Sequence, residues 1–162
     1  MSLRGACNFH WRGVAVHLAR PEPPEQAEAA VLDATERSRA AAFRFEPDRN
    51  LYVAAHVFLR HTLSRHAPIA PAEWRFSANA YGKPFITNPG HTSLQFNLSH
   101  TDGLIACAIS QGQAVGVDVE QCKPMPDLDN LCRYALSARE AEDVLAIHDG
   151  AQQVQRFLLT GR

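Results

Sequence analysis

Phe96-Asn97-Leu98-Ser99-His100, followed by Gly116-Val117-Asp118-Val119-Glu120, is the stretch on which the reading of this chain turns. Val115, Val117 and Val119 alternate with Gly116, Asp118 and Glu120. Period-two alternation marks a half-buried strand, so both carboxylates are expected on the face opposite the valines. Two like charges at i and i+2 repel, and Asp is a poor strand residue. A hard cation such as Mg²⁺, held by one or two carboxylates plus water and substrate phosphates, would relieve that conflict. A solvated edge carrying two acids fits the same residues, and the stretch alone does not choose between the two.

Working outward, Leu94, Phe96 and Leu98 alternate, as do Ile105, Cys107 and Ile109, and Ser110-Gln111-Gly112-Gln113 reads as a short turn. Three antiparallel strands with tight connections are expected, the third over 114–120. Upstream, Val14, Val16 and Leu18 end a first strand over 9–18, closed by Pro21-Glu22-Pro23-Pro24. Asp33 and Glu36 make a capping box for a helix over 34–43. Leu51, Ala54, Ala55, Phe58, Leu59, Thr62 and Leu63 repeat at helical spacing and stop before Pro68. Trp74-Arg75-Phe76 opens a β segment broken by a loop at 79–84. Beyond Lys123-Pro124-Met125-Pro126 helices resume: Leu128, Leu131, Cys132 and Ala135 share a face, and Ser137 and Glu140 cap the next helix. Gly150 reads as that helix's stop, and Val154, Phe157 and Leu158 form a last apolar series. Helices and antiparallel strands mixed in this order argue an α+β fold.

The chain has 162 residues, enough for one well-cored domain or two small lobes. Hydrophobic content of 46% and charged content of 20% are those of an ordinary globular protein. A net charge of −1 provides no field for nucleic acid or an anionic membrane. No apolar run approaches the ~20 residues of a membrane span. The four cysteines show neither a C-x-x-C pair nor zinc spacing, and nothing at the start reads as a secretory signal. A cytoplasmic protein with reduced thiols is the default expectation.

Tyr81-Gly82-Lys83-Pro84 joins a backbone that can come close to a ligand, a flexible cation and a rigid exit. It suits a phosphate or nucleotide, and it is equally a turn with a solvated lysine. Ser99 and His100 end a strand, where both side chains can donate to an anionic oxygen; a structural histidine at a turn fits as well. Arg37, Arg39, Arg44, Arg49, Arg60 and Arg65 crowd one stretch, as a phosphate-binding face or a solvated helix face. His56, His61 and His66 are not a metal comb, because five residues turn a helix by ~140°.

The order Arg39, Asp48-Arg49, Tyr81-Gly82-Lys83-Pro84-Phe85-Ile86, Phe96-Asn97-Leu98-Ser99-His100-Thr101, Gly116-Val117-Asp118-Val119-Glu120 resembles the 4′-phosphopantetheinyl transferases, of the larger, pseudo-dimeric Sfp-like class. The resemblance implies transfer of the 4′-phosphopantetheine arm of coenzyme A to a serine of an acyl or peptidyl carrier protein, with Mg²⁺ as cofactor. It implies that Asp118 and Glu120 are the metal ligands and catalytic carboxylates. Ser99 and His100 would meet coenzyme A phosphates, Tyr81, Gly82, Lys83 and Pro84 would embrace the adenine nucleotide, and Arg39 would face the 3′-phosphate. Where a related enzyme has a second base, this chain has Glu36. The chemistry asks the protein mainly to position reactants and neutralise charge, and the nucleophile comes from the partner.

The family's W-x-x-K-E motif, which implies a further Mg²⁺-binding Glu and a Lys, is expected just after Phe157-Leu158-Leu159-Thr160, where the sequence reaches Gly161-Arg162. The expectation is therefore a complete first lobe over 1–113 and the opening of a second over 114–162, with reduced activity. A non-catalytic binder of coenzyme A or of a carrier protein is the alternative, and an unrelated metal-dependent phosphohydrolase a third. No nucleic-acid or membrane partner is expected.

Overall fold

The structure, a computed structural model, describes residues 7–23 and 25–160. Pro24, in the turn read at 21–24, and Gly161-Arg162 lie outside the described residues. Two compact units divide the chain, Met1–Val119 and Glu120–Arg162. Residues 114–119, read from the sequence as opening the second lobe, fall in the first unit.

The first unit is α+β. Strands β1 (Cys7–Trp11), β2 (Val14–Ala19), β5 (Leu94–Thr101) and β6 (Leu104–Gln111) form one antiparallel sheet in the order β1-β2-β6-β5. Strands β3 (Phe76–Ala78) and β4 (Pro84–Ile86) pair separately. The single strand expected over 9–18 is a hairpin. Its two-residue turn, Arg12-Gly13, has φ of 48° and 82°, the left-handed pair that matches the twist of flanking strands. Phe9 and Trp11 alternate in one phase and Val14, Val16 and Leu18 in the other, and the change of phase falls at Arg12-Gly13, which the single-strand reading passed over.

Helices α1 (Gln26–Ala29), α2 (Ala34–Ala41) and α3 (Glu46–Leu63) precede β3. The capping box of α2 is present: Glu36 N–H donates to Asp33 Oδ1 at 2.9 Å, and Asp33 N–H donates to Glu36 at 2.9 Å. Helix α3 lays Ala54, Ala55, Phe58, Leu59 and Leu63 into one core cluster with Phe96, Ile105, Cys107, Ile109 and Trp74. Each large side chain buried this way contributes ~1.5–3 kcal/mol. The indole N–H of Trp74 donates to Ser64 Oγ at 2.9 Å, so its one polar atom is satisfied.

Residues 114–120 are not a strand of the sheet. Two of their amides are taken by side chains instead: Val117 N–H donates to Asn97 Oδ1 at 2.7 Å and Val119 N–H to Ser99 Oγ at 3.2 Å. Asn97 and Ser99 lie on one face of β5, so the segment is held by that face and not by a backbone ladder. The expected alternation nonetheless holds, with Val115, Val117 and Val119 half-buried and Gly116, Asp118 and Glu120 exposed.

The second unit carries α4 (Leu128–Ala135), α5 (Ala138–Leu145) and α6 (Gly150–Thr160) around Leu128, Cys132, Ala141, Val144 and Val154. Gly150 opens α6 rather than ending α5, because Asp149 Oδ1 accepts from Gln152 N–H at 2.8 Å and caps the new helix.

Candidate functional site

The loop between β3 and β4 is organised by one side chain. Asn79 Oδ1 accepts from the amides of Tyr81 (2.9 Å) and Lys83 (3.0 Å). Gly82 at φ 78° completes the turn, a conformation a side chain would strain. Tyr81 is left 95% exposed. Lys83 Nζ donates to the carbonyl of Val115 at 3.1 Å, which ties this loop to the segment leading into Asp118.

Ser99 Oγ donates to Asp118 Oδ1 at 2.9 Å while accepting from Val119 N–H. Lys83 and Ser99 are thereby both tied to the segment 115–119 that carries Asp118. Glu120, the first residue of the second unit, is exposed. Among the described residues no group of three or more His, Cys, Asp or Glu side chains could enclose a metal. The donor set on 116–120 is thus two exposed carboxylates. That suits Mg²⁺ completing its shell with water and phosphate oxygens, and does not suit an all-protein cage.

Ser99 and His100 diverge, as successive strand residues must. Burial, and then the nearby His56, push the His100 imidazole below its ordinary pKa. Arg39 is exposed on α2, its guanidinium 5.9 Å from the Phe43 ring.

Two residues outside the sequence candidates stand beside these. His56 Nδ1 lies 3.0 Å from Glu36 Oε1. Burial would raise the Glu36 pKa, but hydrogen bonds with His56 and Arg60 hold it below the usual value. The i, i+4 spacing of Tyr52 and His56 was the available signal, yet Glu36 lies 20 residues away in sequence. His66 pairs with His17 and His56 with Glu36, so these two histidines serve different places. Burial pushes the Cys107 thiol up to about 12, which leaves it an inert core residue.

The 4′-phosphopantetheinyl transferase, N-terminal, family model matches residues 20–112, more than half of the chain. The chain is 31% identical over 144 residues to the 4′-phosphopantetheinyl transferase HetI of Nostoc sp., covering 88% of this chain and 60% of that one. It is 29% identical over 144 residues to the 4′-phosphopantetheinyl transferase Sfp of Bacillus subtilis, covering 88% and 62%. With the 4′-phosphopantetheinyl transferase AcpT of Escherichia coli O157:H7 it shares 32% identity over 111 residues, 68% of this chain and 52% of that one. The chain belongs to the 4′-phosphopantetheinyl transferase family. It spans about three-fifths of the length of HetI and Sfp.

Proposed function

We propose that this protein takes part in moving 4′-phosphopantetheine from coenzyme A to a serine of an acyl or peptidyl carrier protein, with Mg²⁺ bound at Asp118 and Glu120. In that reaction the serine oxygen forms a bond to the phosphorus bearing the pantetheine arm. The bond to the bridging oxygen breaks, adenosine 3′,5′-bisphosphate leaves, and the serine hydroxyl loses its proton. The cation, when bound, neutralises diphosphate charge as it builds on the bridging oxygen.

The observation carrying this reading is the Ser99–Asp118 hydrogen bond, made on a segment that Asn97 and Lys83 also hold, in a chain of this family. Side-chain latches fix the carboxylate before substrate arrives, and pre-set charge is worth more to catalysis than charge that must reorganise. Lys83, Ser99 and His100 are the groups that would meet phosphate oxygens, and Tyr81, Gly82 and Pro84 form the wall for the nucleotide.

Incubation with coenzyme A, Mg²⁺ and an apo carrier protein should add the mass of one phosphopantetheine group to the carrier. Asp118→Ala should slow the addition by roughly 10²-fold, the scale seen on removing one preorganised electrostatic group. Binding of coenzyme A without any mass gain would instead favour a non-catalytic binding protein.

A further inference from the structure

Strand β1, Cys7-Asn8-Phe9-His10-Trp11, ends the sheet: among the described residues it pairs with β2 alone. The two-residue turn closes on the hydrogen-bonded pair Trp11–Val14, and bonded and non-bonded pairs alternate from there. Phe9 therefore spends its amide and carbonyl on Val16, while Asn8 and His10 turn theirs to the open edge. Native sheets blunt such an edge with proline, charge or a bulge. β1 has none of these: it carries no Pro, Lys, Arg, Asp or Glu, and it pairs with β2 residue for residue.

Side chains alternate across the same strand. Asn8 faces the side on which α3 packs, its Oδ1 2.7 Å from His17 Nδ1. Phe9 and Trp11 take the other face, where they are 48% and 63% exposed beside the half-buried Val16 and Val14. That face of β1 and β2 holds no charged side chain.

We propose that the β1 edge is the contact through which two copies of this chain associate, antiparallel about a two-fold axis, with Phe9 opposite Phe9. The inference is independent of the coenzyme A reading. Only this register sets the outward groups of the strand against each other. Asn8 meets His10 of the second copy and His10 meets its Asn8, each pair exchanging both N–H···O bonds. The Phe9 pair is of the non-bonded kind, with Cα atoms ~4.5 Å apart, so the rings of Phe9 and Trp11 from both copies gather on one face. Arg12, whose guanidinium lies 4.9 Å from the Trp11 ring, stays about 20 Å from its counterpart, well beyond a Debye length. On the α3 side Arg65 acts on His17 and His66 but is exposed, where solvent screens it. At about 150–250 Å² for each buried aromatic, Phe9 and Trp11 offer roughly 200 Å² of open surface per copy. Doubled, and with the shared edge added, this stays below the ~1,200 Å² of a standard interface, so the dimer is weak and concentration-dependent.

The measurement is sedimentation velocity over about a hundredfold range of micromolar concentration. The mean mass should climb from 17.9 kDa toward twice that value. Phe9→Lys places a charge at the axis, and His10→Pro removes an outward N–H that β2 does not use. Each should hold the chain at the lower mass with an unchanged circular dichroism spectrum. Register is read by cross-linking, in a chain whose exposed Cys7 and Cys122 are replaced by serine. There Phe9→Cys should form a disulfide-linked dimer under oxidised glutathione. His10→Cys should link about tenfold more slowly, its Cα lying about 8 Å from its counterpart. A mass that stays at 17.9 kDa throughout, or climbs past the dimer, overturns the proposal. So does a dimer that survives both Phe9→Lys and His10→Pro, or His10→Cys linking as fast as Phe9→Cys.

Discussion

Arg60 shows how much one buried side chain can organise. Its guanidinium reaches two carboxylates and two backbone carbonyls and lies 5.1 Å from the Phe76 ring. These partners come from the α2 cap and from the turn at 71–74, so one planar fork ties both to α3. Removing it would strand Glu36 and Asp33 without their cation. Arg60→Met should cost about 3–5 kcal/mol of unfolding free energy, read from urea denaturation by tryptophan fluorescence. Both tryptophans, Trp11 and Trp74, lie in the first unit and report on it. Ser99 plays a smaller part at the other end of the site. Ser99→Ala removes the acceptor of Val119 N–H and the donor to Asp118, each hydrogen bond being worth about 1 kcal/mol. Faster hydrogen exchange at the Val119 amide, with β5 amides unchanged, is the expected outcome.

At the scale of elements, the β1–β2 hairpin is coupled to the end of α3 through histidine. His17 Nδ1 lies 2.7 Å from Asn8 Oδ1 and its Nε2 lies 2.9 Å from Nε2 of His66. Burial first, then the charges of His66, Arg65 and His10, lower the His17 pKa from 6.5 to about 4. Between those values the unfolded chain holds a proton that the folded chain lacks, so stability rises with pH. As pH falls from 6.5 toward 4, His17 should therefore remove stability on the order of 3 kcal/mol. Glu36, with its lowered pKa, loses stability in the same direction as it is protonated. The measurement is the urea midpoint at several pH values: the native profile should fall more steeply toward acid than that of His17→Leu. The latched segment after β6 is the other element with a distinct dependence. Asn97→Ala leaves the Val117 amide without its partner and should raise exchange there, loosening the stretch that carries Asp118.

For the molecule as a whole, the two units differ in what holds them. The first buries a cluster from α3, β2, β5 and β6 with Trp74 at its side, and a second from Leu32, Ala40, Val53 and Val57. Among the described residues of the second unit, five buried side chains form its core, a small one for three helices. In the 162-residue chain, amides of α4 to α6 should therefore exchange faster than those of α3 and β6, as hydrogen-exchange mass spectrometry can measure. No helix among the described residues is long and apolar enough to cross a membrane. The near-zero net charge leaves attraction of a polyanionic ligand to local groups such as Arg39 and Lys83. Lys83→Ala should weaken coenzyme A binding about tenfold, the worth of one charge-assisted contact, with a reduced dependence on salt.

Short-range physics was legible in the residues alone. The Asp33–Glu36 and Ser137–Glu140 boxes, the long apolar face of α3 and the alternation of β5 and β6 follow from residues a few positions apart, and the family from the order of short motifs along 39–120. The alternation of 115–120 was legible too, but not its setting. A period of two says which side chains face inward, and is silent on whether a strand's amides find a ladder or, as here, the side chains of Asn97 and Ser99. Tertiary structure decided three further matters. It turned 9–18 into a hairpin, sent Ser99 and His100 to different surroundings, and joined Glu36 to His56 and Arg60 across 20 and 24 residues. The hairpin rests on the left-handed Arg12-Gly13 turn and on pairing with β6. The other two share a reason: charge pairing and desolvation depend on distance in space, which packing of α2 on α3 and of α3 on the sheet sets.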